Sequence, residues 1–123
     1  MSEGREYISR NEEHGDIYIS EEVLTKIAGA AALEVEGVAG LAGGNLGEQL
    51  LGKKNPSRGV TIQREEEALV LNVAILIRYG FAVPELARKV QEAVLSSVEA
   101  TSGLRVSAVN IRVGGVMFDK SEK

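Results

Sequence analysis

The sequence predicts an α+β fold: a two-layer sandwich with two helices packed on one face of a small mixed sheet, in the order β-α-β-β-α-β. Three observations predict it. From Ser20 to Val38 apolar residues recur at three- and four-residue steps, the spacing of one buried helical stripe. The same spacing returns between Pro84 and Gly103. The segments before, between and after these stretches are short, rich in valine and isoleucine, and bounded by turn residues, as strands are.

The elements follow in order. Residues 1–15 are polar and charge-mixed and read as a flexible N-terminal arm. Asp16 to Ile19 reads as a short strand feeding the first helix. Ser20 is a good N-cap, because its hydroxyl can accept from an orphan amide of the first turn, and Glu21 and Glu22 sit at the positive end of the helix dipole. Leu24, Ile27, Ala28, Ala31, Val35 and Val38 form the stripe, and Gly37 stands where a left-handed stop is wanted. Glu34 falls inside this stripe.

Residues 40–59 read as a mobile glycine-rich loop carrying Lys53, Lys54 and Arg58, with a helical turn at Leu46 to Leu51. Val60 to Arg64 and Ala68 to Tyr79 form a hairpin joined by Glu65, Glu66 and Glu67. The second strand puts Leu69, Leu71, Val73, Ile75 and Ile77 on one face. Val70, Ala74 and Leu76 make its other face partly apolar too, which suggests that something covers that face.

Pro84 opens the second helix where its missing N–H costs nothing. Leu86, Ala87, Val90, Val94 and Val98 are its buried stripe; Gly103 ends it and Leu104 supplies the closing contact. Val106 to Val113 is the last strand. Val116, Met117 and Phe118 make a short apolar tail, and residues 119–123 are charged.

These segments carry a resemblance. Ile19-Ser20, Ile27-Ala28 and the run Glu34-Val35-Glu36-Gly37-Val38-Ala39-Gly40-Leu41 are followed in order by Gly59-Val60-Thr61-Ile62, by Val73 to Gly80 ending in Tyr79-Gly80, by Pro84-Glu85-Leu86-Ala87, and by Val109-Asn110-Ile111-Arg112-Val113. The ordered set resembles the bacterial alkaline-shock, or envelope stress response, protein family, general stress proteins of Gram-positive-type bacteria. It spans Asp16 to Phe118, so residues 16–118 are expected to form one domain. The resemblance implies a small intracellular protein tied to envelope stress or fatty-acid metabolism, with a structural or regulatory role.

Composition sets bounds. A chain of 123 residues buries roughly two thirds of its unfolded surface, enough for one core. That core must be aliphatic, since the chain has no tryptophan. A net charge of −4 argues against a duplex nucleic-acid binder, which needs clustered positive surface. The absence of cysteine excludes disulfide and thiol chemistry and fits a reducing cytoplasm. The opening residues lack the apolar stretch of a signal peptide, and the longest apolar run, Ala68 to Ile77, is too short to span a bilayer.

No residue set assembles catalysis. His14, the only histidine, lies in the polar arm with nothing to orient it as a base. Gly47 to Lys54 matches a phosphate loop except that Lys54 replaces the hydroxyl residue that should hold magnesium. Gly37, Gly40 and Gly43 have the spacing of an RNA-clamping glycine loop, but no lysine or arginine lies among them. Glu65, Glu66 and Glu67 read as a solvated turn, because adjacent carboxylates rarely converge on a cation. Glu34 is expected to be a buried polar site satisfied by glycine amides or by Arg78 or Arg112.

The expected function is therefore a non-enzymatic scaffold or regulator acting by protein–protein contacts in envelope stress or fatty-acid and envelope homeostasis. Val70, Ala74, Leu76 and Phe118 are the expected partner-binding residues, with Leu33 and Leu95 as further off-stripe hydrophobes. Expected partners are other proteins, including a membrane-anchored one, and further copies of the chain. DNA, direct membrane insertion, cofactors and metals are not expected. The expected localisation is cytoplasmic, with membrane association through a partner. The alternative is a small-molecule sensor with its site near Glu34 and the 40–59 loop; a third reading is RNA binding by Lys53, Lys54 and Arg58.

Overall fold

The computed structural model describes residues 7–42 and 59–118. Residues 43–58, on which the expected helical turn, the phosphate-loop pattern and the basic residues fall, lie outside the described residues, as do residues 1–6 and 119–123.

The first departure from expectation is at the N-terminus. Strand β1 (Tyr7–Glu12) pairs antiparallel with β2 (Gly15–Ser20), so the arm is a hairpin from Tyr7 onward. Its polar composition hides one inward face: Ile8 is buried and its cross-strand partner Ile19 packs against the core. Farther out on that face, the Arg10 guanidinium donates to the Gly103 carbonyl at 2.6 Å and pairs with Glu12. Gly103 caps the second helix, which has no basic residue in its own last turn, so Arg10 brings positive charge to that dipole's negative end from another element.

Helix α1 (Glu21–Leu33) begins as its sequence predicts, with the Val23 amide donating to Ser20 Oγ at 3.1 Å. It buries Leu24, Ala28, Gly29, Ala31 and Ala32. It ends sooner than the apolar spacing suggests. Glu34 is its C-cap, and Gly37, at φ +104°, turns the chain into β3 (Val38–Leu41). Val38 is therefore buried from a strand, because pairing with the middle of the sheet outcompetes another helical turn.

Next come β4 (Val60–Glu65), β5 (Ala68–Arg78), α2 (Val83–Ser102) and β6 (Val106–Met117). Helix α2 has proline in its first turn and stops at Gly103 in the left-handed region (φ +77°), whose amide donates to the Glu99 carbonyl. The α+β class, the two helices and the strand leading into α1 stand as expected; β1 and β3 are additions, and β1–β2 forms a two-stranded sheet of its own.

Strand β5 is the spine of the main sheet. Strand β6 runs parallel along one side of it over its length. On the other side β3 faces Ile75 to Ile77 and β4 faces Ala68 to Val73, both antiparallel. The two meet at Ala74, whose carbonyl accepts from the Ala42 amide and whose amide donates to the Gly59 carbonyl, each at 2.8 Å. In an uninterrupted antiparallel pair one residue would make both of those bonds. Strands β3 and β4 thus act as one strand interrupted at Ala74. The inward residues Leu69, Leu71, Val73, Ile75 and Ile77 share the core with Leu24 and Ala28 of α1 and with Leu86, Val90, Val94 and Val98 of α2.

The β4–β5 turn holds one non-glycine residue at positive φ, Glu66 at +50°. Asparagine tolerates that backbone better than glutamate. Glu66→Asn is expected to raise stability by about 0.5–1 kcal/mol, measured by thermal denaturation.

Candidate functional site

The candidate site is the face of the sheet turned away from both helices. Strand β5 contributes Ala68, Val70, Asn72, Ala74, Leu76 and Arg78. In register beside them lie Glu65, Gln63 and Thr61 of β4, Gly40 of β3, and Ala108, Asn110, Arg112, Gly115 and the exposed Met117 of β6.

A chain of amides crosses the middle of this face. Asn110 Nδ2 donates to Asn72 Oδ1 at 2.9 Å, and Asn72 Nδ2 reaches Thr61 Oγ1 and Gln63 Oε1 at 3.3 and 3.4 Å. These groups partner one another across three strands, so the row is held in place by the sheet. On either side of it the face is apolar. Val70 is 7% exposed, yet it stands apart from the core cluster. Leu76 is half-buried between two glycines: a Cβ at Gly115 would lie 3.0 Å from Leu76 Cδ2, and one at Gly40 would lie 3.9 Å from Cδ1. With no side chains on either flank, Leu76 is a ridge over bare backbone.

Val70, Ala74 and Leu76 are thus brought together, as the sequence predicts. Phe118 is not with them. It follows Val116 by two residues, and strand alternation places it on the helix side, beyond the sheet's end, where its ring lies 4.9 Å from that of Tyr79. Both rings are exposed. Leu33 and Leu95, expected at the surface, pack against the core.

The expected buried cluster of Glu34, Arg78 and Arg112 does not form. All three are exposed. Because α1 ends at Leu33, Glu34 leaves the apolar stripe, and Arg78 and Arg112 point to the outer face. The ion pairs shown among the described residues join Arg10 to Glu12, Lys26 to Glu22 and Arg64 to Glu21, and none involves that trio. His14 is exposed in the β1–β2 turn. Glu65, Glu66 and Glu67 rim an open recess with Ala68, Arg105 and Ser107. Among the described residues no three acidic or histidine side chains converge as a cation site.

Sequence reasoning missed the amide row. Asn72, breaking an apolar run, and Asn110, in the middle of the last strand, were its only signals, and they become meaningful only when the register sets them side by side. Chemically, such a face can bury apolar area and exchange amide and guanidinium hydrogen bonds with a flat partner.

Among the described residues no helix is long and apolar enough to cross a membrane. The model of the alkaline shock protein 23 family, described as of cell envelope-related function, matches residues 9–118. The chain is 39% identical over 107 residues to YloU of Bacillus subtilis (strain 168), which covers 84% of this chain and 89% of that protein. It is 32% identical over 108 residues to YqhY of the same organism, covering 85% of this chain and 79% of that protein. A stress response regulator gls24 homolog of Streptococcus pyogenes is 26% identical over 102 residues, 80% of this chain but 57% of its own length. Solved variants of the MamM CTD show a likeness of outline only: for one of them identity is 16% and the TM-score 0.49, over 77% of this chain and 96% of that one.

Proposed function

We propose a function from one premise: this chain belongs to the alkaline shock protein 23 family, whose function is cell envelope-related and whose relatives include proteins named as stress response regulators. The protein acts as a scaffold or regulator, performing no turnover and working through protein contacts made by the outer face of its sheet. It serves the envelope from the cytoplasmic side, through a membrane-anchored protein partner. The observation that supports this reading is the apolar outer face of β5, beside a row of polar side chains ordered by their own hydrogen bonds. Leu76 and Ala74 are half-buried there and Val70 lies beneath the surface, with no helix among the described residues packed on that face. A sheet face that only met water would gain from charged or hydroxylated residues at these central positions.

The test is an affinity pull-down with quantitative mass spectrometry, comparing the wild type with Leu76→Glu. Leu76 is half-buried and stands outside the core cluster, so the variant is expected to fold, with circular dichroism as the check. Recovery of specific partners is expected to drop by at least about tenfold, since a carboxylate at the centre of an interface is desolvated without a counter-ion. Equal recovery by both proteins would remove the outer face as the docking surface. The alternative, a small-molecule sensor with its site near Glu34 and the 40–59 loop, has no geometric observation in its favour among the described residues.

A further inference from the structure

The outer face is complementary to itself, and the geometry points to a second copy of this chain as its occupant, stacked face to face about a two-fold axis that crosses the strands at Val73. This inference rests on the outer face being the docking surface and names what docks there.

The argument starts from the strand's own order. Val73 is the midpoint of β5 (Ala68–Arg78), and the outward positions are Ala68, Val70, Asn72, Ala74, Leu76 and Arg78. Reversing this series about Val73 sets Leu76 against Val70 of the second copy, Ala74 against Asn72, and Arg78 against Ala68. The apolar ridge of one copy then meets the buried valine of the other, and each asparagine faces the smallest side chain on the strand.

The charges reverse in the same sense. At one end Arg78 and Arg112 hold outward positions, and among the described residues no carboxylate occupies a register position on that half of the face. At the other end Glu65 lies in register beside Ala68, and the recess there carries Glu65, Glu66 and Glu67 against Arg105, three negative charges to one positive, a net of −2. Because Ala68 is small, Arg78 of the facing copy can lean past it to Glu65. The two-fold makes this contact twice. On β6, Arg112 falls over Asn110 of the second copy, whose amide oxygen can accept from it.

The area suffices for such a pairing. Eleven residues at roughly 3.3 Å each and three strands about 4.8 Å apart give a face of about 500 Å². Two such faces bury about 1,000 Å², the lower bound for a specific interface, so the dimer is concentration-dependent. Sheets stacked this way lie about 10 Å apart with strands crossing at about 30°.

Sedimentation equilibrium at low salt, on the full chain from about 1 to 100 µM, tests the pairing through a charge swap. Arg78→Glu and Glu65→Lys change exposed side chains, and circular dichroism checks that both variants fold. The wild type is expected to dimerise, and each single variant to dimerise about tenfold more weakly, since two attractive contacts become repulsive. An equimolar mixture of the two variants restores opposite charges at both contacts, and its association is expected to return to the wild-type level. A wild type that stays monomeric at about 100 µM, a dimer indifferent to both substitutions, or a mixture no tighter than its components would each overturn the inference. A monomeric wild type that still captures a protein in a Leu76-dependent way would overturn the second copy as occupant while the docking face itself stands.

Discussion

Leu71→Ala is expected to cost about 2–5 kcal/mol and to lower the melting temperature by about 10–20 °C. Leu71 is fully buried at the centre of β5, between Ile62 of β4 and Val109 of β6, on the face that the helices cover. Truncation removes its transfer free energy and leaves a cavity, and neighbours fixed by pairing on both sides cannot collapse into it. Whole-domain stability is of order 5–15 kcal/mol, so the loss is a large fraction of the total. Leu76→Ala, on the same strand but half-buried on the opposite face, is expected to cost only about 1 kcal/mol. Denaturant titration of the two variants separates the faces. Equal losses would contradict the assignment of Leu76 to an uncovered surface.

Gly37→Ala is the second large effect, expected at about 2–4 kcal/mol. Two causes combine. The residue sits at φ +104°, which L side chains rarely adopt. A Cβ there would also lie 2.7 Å from Cδ2 and 2.9 Å from Cε2 of Phe81, closer than atoms pack, so the ring must move. The Gly37 carbonyl meanwhile accepts from the Arg78 amide at 2.8 Å, which ties this turn to the end of the central strand. A double-mutant cycle divides the two causes: with Phe81→Ala already present, Gly37→Ala should cost only the backbone part, about 1–2 kcal/mol. Strict additivity would mean that the ring is not the obstacle.

Much of the fold was legible from local pattern. The serine cap of α1, the proline start and glycine stop of α2, and the alternation of β5 are each written in a few adjacent residues, and each forms as expected. The misreadings have physical reasons. Val35 and Val38 continue the helical spacing by coincidence, so the end of α1 and the presence of β3 depend on pairing with a strand more than 30 residues away in sequence. Glu34 looked buried for the same reason. Strand β1 hid because only Ile8 of its residues is buried, and one residue cannot announce a strand among charges, whereas its partner β2 was legible. At the candidate site Val70, Ala74 and Leu76 could be found from one strand alone. The amide row and the opposed charges could not, since they exist only across strands.

The junction at Ala74 bears on what this architecture can carry. Ala42 and Gly59 divide between them the bonding duties of a single residue, so the ladder closes regardless of what joins them. A graft between those two positions is expected to leave the hydrogen-bond register of the spine unchanged. The position is thus an insertion point that the scaffold's own bonding tolerates, since longer closing segments add only slowly to the entropic cost.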